Sequence, residues 1–248
     1  MRKTLTVVSA VAAATLVSGG AAAAPIFDVF GPLPEATFGG TGIPNDAVAV
    51  SSQFVDGDTT ITVALSATQR LFNPALTNDG AGTYFAQAGS NLGGPGSTSA
   101  LEGALWNVNY YIDVDDPGAT ARLTDYDINI YYDFDPAFDN GLAGLGSINV
   151  TSWLLAGPNP LATTTQGSEN LLFDFLGVAV PGIVTPPTFP AFDPNALGEY
   201  NFAITVARNG FPVETVAMDV QVVPVPAAAV LFPSALAMLG WMRRRRVS

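Results

Sequence analysis

Between residues 26 and 222 the apolar positions recur with a period of two, and no long stretch shows the 3.6-residue period of a helix. The clearest run is 106–113, where Trp106, Val108, Tyr110 and Ile112 share one face and Asn107, Asn109, Tyr111 and Asp113 the other. Residues 125–135 repeat it, with Tyr126, Ile128, Ile130, Tyr132 and Phe134 against Asp125, Asp127, Asn129, Tyr131, Asp133 and Asp135. Both patterns predict half-buried strands, because successive side chains of a strand point to opposite faces. Near the C-terminus Tyr200, Phe202, Ile204 and Val206 alternate, Asn209-Gly210 offers the two positive φ angles of a type I′ turn, and Val216, Met218, Val220 and Val222 return. That is a hairpin signature. Weaker strands are predicted at 47–54, 60–66, 147–155 and 171–175, with loops at 73–82, 89–99 and the proline-rich stretch 181–194. Seven or more short strands without helical interludes predict an all-β protein, a single antiparallel β-sandwich of the immunoglobulin-like or jelly-roll-like kind.

The two ends break this pattern. Met1-Arg2-Lys3 is followed by an apolar run to Val17 and by Ala21-Ala22-Ala23-Ala24, the order of a charged start, a greasy core and small residues at a cleavage site. Residues 1–24 are therefore expected to be a signal peptide, cut by signal peptidase, and 25–222 to be the exported domain. At the other end, residues 227–242 are almost wholly apolar and stop at Arg243-Arg244-Arg245-Arg246. Sixteen residues make a helix of about 24 Å, a short transmembrane span for a hydrocarbon core of about 30 Å. Four arginines hold their end in the cytoplasm, which leaves the domain outside the inner membrane.

Residues 223–248 resemble the PEP-CTERM group of bacterial sorting signals, and most closely its VPLPA-CTERM variant. The resemblance is carried by Val223-Pro224-Val225-Pro226-Ala227, the apolar segment behind it and the terminal arginine cluster Arg243, Arg244, Arg245 and Arg246. Val225 stands where the Pro-Glu-Pro form has glutamate. The resemblance implies processing by an exosortase, a membrane enzyme acting on surface and matrix proteins of Gram-negative bacteria that make exopolysaccharide. It implies a transient membrane anchor, then a place at the cell surface or outside the cell. It implies nothing about the domain's own ligand.

Composition narrows the chemistry. The chain has no cysteine and no histidine, and Lys3 is its only lysine, so serine or cysteine triads, Cys/His zinc sites, lysine Schiff bases and disulfides are excluded from the domain. Without the two terminal segments, Arg70, Arg122 and Arg208 face all 21 acids, a net charge of −18. A surface of that sign repels nucleic acid. Eight aspartates fall between Asp113 and Asp139, and Asp113, Asp115, Asp116, Asp135 and Asp139 form a candidate calcium set, since calcium takes six to eight oxygens. Solvated turns and the wet faces of two strands would account for the same residues. Tyr111 and Tyr131, on the polar faces of two strands that could pair, are candidate platforms for a sugar ring. Three functions are thus in play: a noncatalytic secreted protein of the envelope or polysaccharide matrix, which the sequence favours; a calcium-dependent carbohydrate-binding module; and a glycosidase working with carboxylates alone, for which no motif selects the pair.

Overall fold

The computed structural model describes residues 25–224 apart from 56–57, 72, 94–101 and 139–143. The expected signal peptide 1–24, the tail from Val225 to Ser248, with Pro226, Ala227 and the four arginines, and Asp139 lie outside the described residues. The protein is mostly β. In chain order the strands are β1 (Val29–Gly31), β2 (Val48–Val55), β3 (Thr59–Gln69), β4 (Thr77–Asn78), β5 (Thr83–Gln87), β6 (Ser90–Asn91) and β7 (Gly103–Ala104). They continue with β8 (Trp106–Asp115), β9 (Asp127–Tyr132), β10 (Gly146–Asn149), β11 (Thr164–Glu169), β12 (Val184–Thr185), β13 (Gly198–Arg208) and β14 (Phe211–Val223). One short helix, α1 (Val150–Ala156), follows β10. No helix among the described residues is long and apolar enough to cross a membrane.

The strands form a five-stranded sheet in the order β1-β2-β3-β8-β11, a seven-stranded sheet in the order β12-β10-β9-β13-β14-β5-β4, and the small pair β6-β7. The two large sheets contribute to one hydrophobic cluster, β3 and β8 on one side and β9, β13 and β14 on the other. The alternation read from the sequence sets the facing. Tyr126, Ile128, Ile130, Tyr132 and Phe134 are all buried in that cluster. Trp106 is 1% exposed and touches the rings of Phe192, Tyr200 and Phe202 at centroid distances of 5.9, 5.8 and 6.1 Å. The C-terminal hairpin forms as expected, with Asn209 at φ 52° and Gly210 at φ 80°.

Three expectations are corrected. Not all pairings are antiparallel: β5 runs parallel to β14, with Asp219 opposite Thr83. β5 takes this direction as the returning strand of a short antiparallel pair with β4, with Thr77 opposite Phe85 and Asn78 opposite Tyr84. Residues 147–155 are not one strand, because β10 ends at Asn149, whose Oδ1 accepts from Ser152 N at 2.6 Å and caps α1. Leu154, Leu155 and Ala156 favour the helix and Gly157 ends it. Residues 171–175 form a turn and the start of a 3-10 helix, Asp174–Gly177, in place of a strand.

What positions that turn is Asn170, whose residue is fully buried. Its Oδ1 accepts from Ala104 N (2.9 Å) and Leu172 N (3.2 Å), and its Nδ2 donates to the carbonyls of Ala104 (3.1 Å) and Trp106 (2.9 Å) and to Asn107 Oδ1 (2.7 Å). One amide therefore satisfies backbone groups of β7, β8 and the turn after β11. Replacing Asn170 by Ala strands buried donors and acceptors that each cost about 1–3 kcal/mol. Asn170→Ala is expected to lower unfolding stability by about 3 kcal/mol in a denaturant titration, while Asn195→Ala, in an exposed turn, changes it by less than about 0.5 kcal/mol.

Candidate functional site

The structure places the described members of the expected calcium set at two positions in the fold. Asp113, Asp115 and Asp116 stand at the end of β8, where Val114 N bonds Thr163 O and Leu123 N bonds Ala162 O. The start of β9 is thereby held at the same end. Asp135 follows the far end of β9, a strand of six residues, so it lies roughly 17 Å or more away along the rise of the chain. Asp116 is a turn cap: its carboxylate accepts from Gly118 N (2.9 Å), Thr120 N (2.7 Å), Thr120 Oγ1 (2.9 Å) and Ala121 N (2.8 Å). The bonds from Ala121 and Thr120 hold its pKa well below the usual carboxylate range. Asp113 accepts from the Thr164 hydroxyl, and burial keeps its pKa above the ordinary value against that bond, with Asp115 and Glu35 adding to the rise. Asp135 Oδ1 accepts from Ala137 N at 3.0 Å. Among the described residues no group of three His, Cys, Asp or Glu could hold a metal ion.

Tyr111 and Tyr131 do not form a pair either, since β8 and β9 belong to different sheets. Tyr131 points outward from its sheet, opposite Ser147 and Ala203. Tyr111 is 5% exposed, covered by the segment that precedes β2: Leu33, Ala36, Phe38 and Ile43 pack with Val48, Val50 and Ala64 around it. Gln166 Oε1 fixes the cover by accepting from Thr37 N (2.9 Å) and Phe38 N (2.7 Å). An aromatic ring on a polar strand face looked wet in sequence because its cover lies some seventy residues away in the chain.

What the structure does assemble is a cavity of about 310 Å³ between the two large sheets. It exists because of β11. The register Thr165–Ile112, Gly167–Tyr110 and Glu169–Val108 puts Thr165, Gly167 and Glu169 on the inward face of this edge strand. None of the three carries a large apolar group, so the core is not filled there. The Tyr110 ring lies across Gly167 so closely that a Cβ there would come within 2.7 Å of Tyr110 Cε1. Facing β11 and β8 are Ile130 and Tyr132 of β9, Ile148 of β10, Val184 of β12 and Phe202 of β13. Val150 and Trp153 of α1 and Leu171, Phe175 and Leu176 of the 3-10 segment close the remaining sides. The Tyr132 hydroxyl donates to Leu176 O at 2.7 Å and pins that segment. Trp153 and Phe175 line the cavity and are nonetheless 48% and 43% exposed, which places its mouth between α1 and the 3-10 turn.

Among the described residues Glu169 is the only charged one in this lining. Burial among apolar groups pushes its carboxyl from 4.5 up to about 7. Tyr110 is pushed up to about 12, first by burial and then by the charge of Glu169, with the Thr165 hydroxyl opposing. In sequence Glu169 is one of a few scattered glutamates. The available signal was the composition of 164–169, a segment with β-branched residues but no apolar inward set. Compared with protein-family models, curated proteins and solved structures, the chain matches none.

A carboxyl that ionises less readily in the folded protein than in the unfolded chain makes folding less favourable as pH rises. Below about pH 4.5 both states are protonated and there is no cost; the cost grows through the interval up to about 7 and is constant above it. Glu169→Gln, which stays neutral, is expected to match the wild type near pH 4 and to exceed its stability by at most about 3 kcal/mol at pH 8. Denaturant unfolding at several pH values checks this; a difference independent of pH would place the carboxylate in water.

Proposed function

We propose that the chain is a noncatalytic exported binding protein, a single β-sandwich of residues 25–222 delivered to the cell surface or matrix of a polysaccharide-producing Gram-negative bacterium by an exosortase-type system. The observation that carries this reading is where strand β14 ends. Strand β14 ends at Val223, and the motif Val223-Pro224-Val225-Pro226-Ala227 begins at that residue. The motif thus overlaps the strand by one residue, Val223, and its remaining positions start with a proline, which cannot donate to a ladder. The apolar stretch 227–242 and the arginines 243–246 then have the order of a membrane segment and its cytoplasmic stop.

Glycoside hydrolysis takes two facing carboxylates, and among the described residues the cavity lining includes the carboxylate of Glu169. Its lining is also too apolar for a saccharide, whose hydroxyls would be buried without partners.

Replacing Pro224 and Pro226 by Ala tests the sorting reading. The apolar segment is untouched, so the double variant should still reach the membrane, but processing should fail. Fractionation of the host with mass spectrometry of the C-terminus is expected to find unprocessed protein accumulating in the membrane fraction. Release at wild-type level and size would refute exosortase-type sorting.

A further inference from the structure

We propose that the cavity between the sheets is a binding site for a small lipophilic cation, a molecule with an apolar, preferably aromatic body and a single ammonium head that pairs with Glu169. Size, lining and charge each narrow the ligand. About 310 Å³ lies at the lower end of small-molecule pockets and suits a body of one or two rings better than a long acyl chain or an oligosaccharide. The walls are aliphatic and aromatic, so transfer of an apolar body from water drives binding at about 25 cal/mol per Å² of surface buried. An ionised carboxylate in such a lining is costly unless it meets an opposite charge.

Among the described residues no side chain lining the cavity supplies that charge. The other titratable groups lining the cavity are the phenols of Tyr110 and Tyr132, and no arginine lines it. Tyr132 already donates to Leu176 O. The ligand is the remaining source of a cation. Anionic ligands such as fatty acids are disfavoured twice, by Glu169 itself and by a domain in which three arginines face 21 acids. The aromatic faces add to the preference, since an ammonium group over a ring gains about 0.5–2 kcal/mol. Trp153, at the mouth, is placed to close over the bound molecule and to report it.

The cavity is also poorly explained as packing. A natural core tolerates few voids of this size, and here the void coincides with the one inward position of β11 that carries a charge. This inference is independent of the sorting proposal, because ligand binding by the purified chain neither requires nor tests processing of the tail.

The test uses three probes that share a phenylalkyl body: 2-phenylethylammonium, 2-phenylethanol and 3-phenylpropionate. Each is titrated calorimetrically into the full-length chain at about pH 8 and about pH 5, with Trp153 fluorescence as a second readout, isolated by subtracting a Trp153→Phe variant. At about pH 8 the ammonium probe is expected to bind at least about tenfold tighter than the alcohol, a gap of about 1.4 kcal/mol, and the carboxylate probe not to bind. Near pH 5, where Glu169 holds its proton, the ammonium and alcohol should converge. Glu169→Gln should bring the ammonium down to the affinity of the alcohol at both pH values while leaving alcohol binding unchanged, which shows the cavity intact. Equal affinity of ammonium and alcohol for the wild type at about pH 8, tighter binding of the carboxylate probe, or no binding of any probe would overturn the proposal.

Discussion

Trp106 is the contact on which the rest of the structure depends. It belongs to β8 in the five-stranded sheet, and its ring partners Tyr200 and Phe202 belong to β13 in the seven-stranded one. With no disulfide available, the two sheets are held together by burial, and this aromatic cluster joins them directly. The indole Nε1–H is buried and finds no acceptor among the described residues, a loss of about 1–3 kcal/mol. Burial of the side chain returns about 3 kcal/mol, and three aromatic contacts add about 1 kcal/mol each. Packing therefore wins over the unmade hydrogen bond.

The same packing stops before it reaches β11. On the β3 side of β8 the inward partners are Ala67 beside Val108 and Leu65 beside Tyr110, whereas on the β11 side the same two residues meet Glu169 and Gly167. An edge strand needs inward apolar groups to bury its face, and this one has none. Its attachment comes from polar bonds instead: Asn170 to β7 and β8, Gln166 to the segment before β2, and Thr164 to Asp113. Attachment by directional bonds lets the strand hold its place without filling the space beneath it. Stability is thereby given up at a defined position, next to a carboxylate, which is how ligand cavities differ from accidental packing faults.

Strands with a strict two-residue alternation were legible in the sequence because burial on one face is a local signal. That holds for 106–113, 125–135 and the hairpin around Asn209-Gly210, whose turn chemistry admits few alternatives. Elements decided by competing local signals were misread. In 147–155 the apolar residues fit a strand, but Asn149 as a cap and Gly157 as a stop select a helix for the second half. Strand β11 was missed because its inward positions hold no apolar residue to set up an alternation, and its place comes from long-range pairing with β8 and polar bonds to distant segments. The cavity was out of reach for the same reason: it is defined by what β11 lacks, and by the four strands, α1 and the 3-10 segment brought around it.

The acidity of the domain has a structural origin that bears on how the surface should be read. Asp79, Asp116, Asp125 and Asp193 each accept backbone N–H bonds within a few residues of themselves, closing turns that strands of this length require. Aspartate in such turns is selected for its short acceptor side chain, and its charge is a by-product. Lysine and histidine offer nothing equivalent there, which is consistent with a domain rich in aspartate and almost free of cations. The charge accumulated in this way still acts at a distance: a domain in which three arginines face 21 acids carries a net negative field, so a device that begins as turn chemistry ends by favouring the approach of cations over anions.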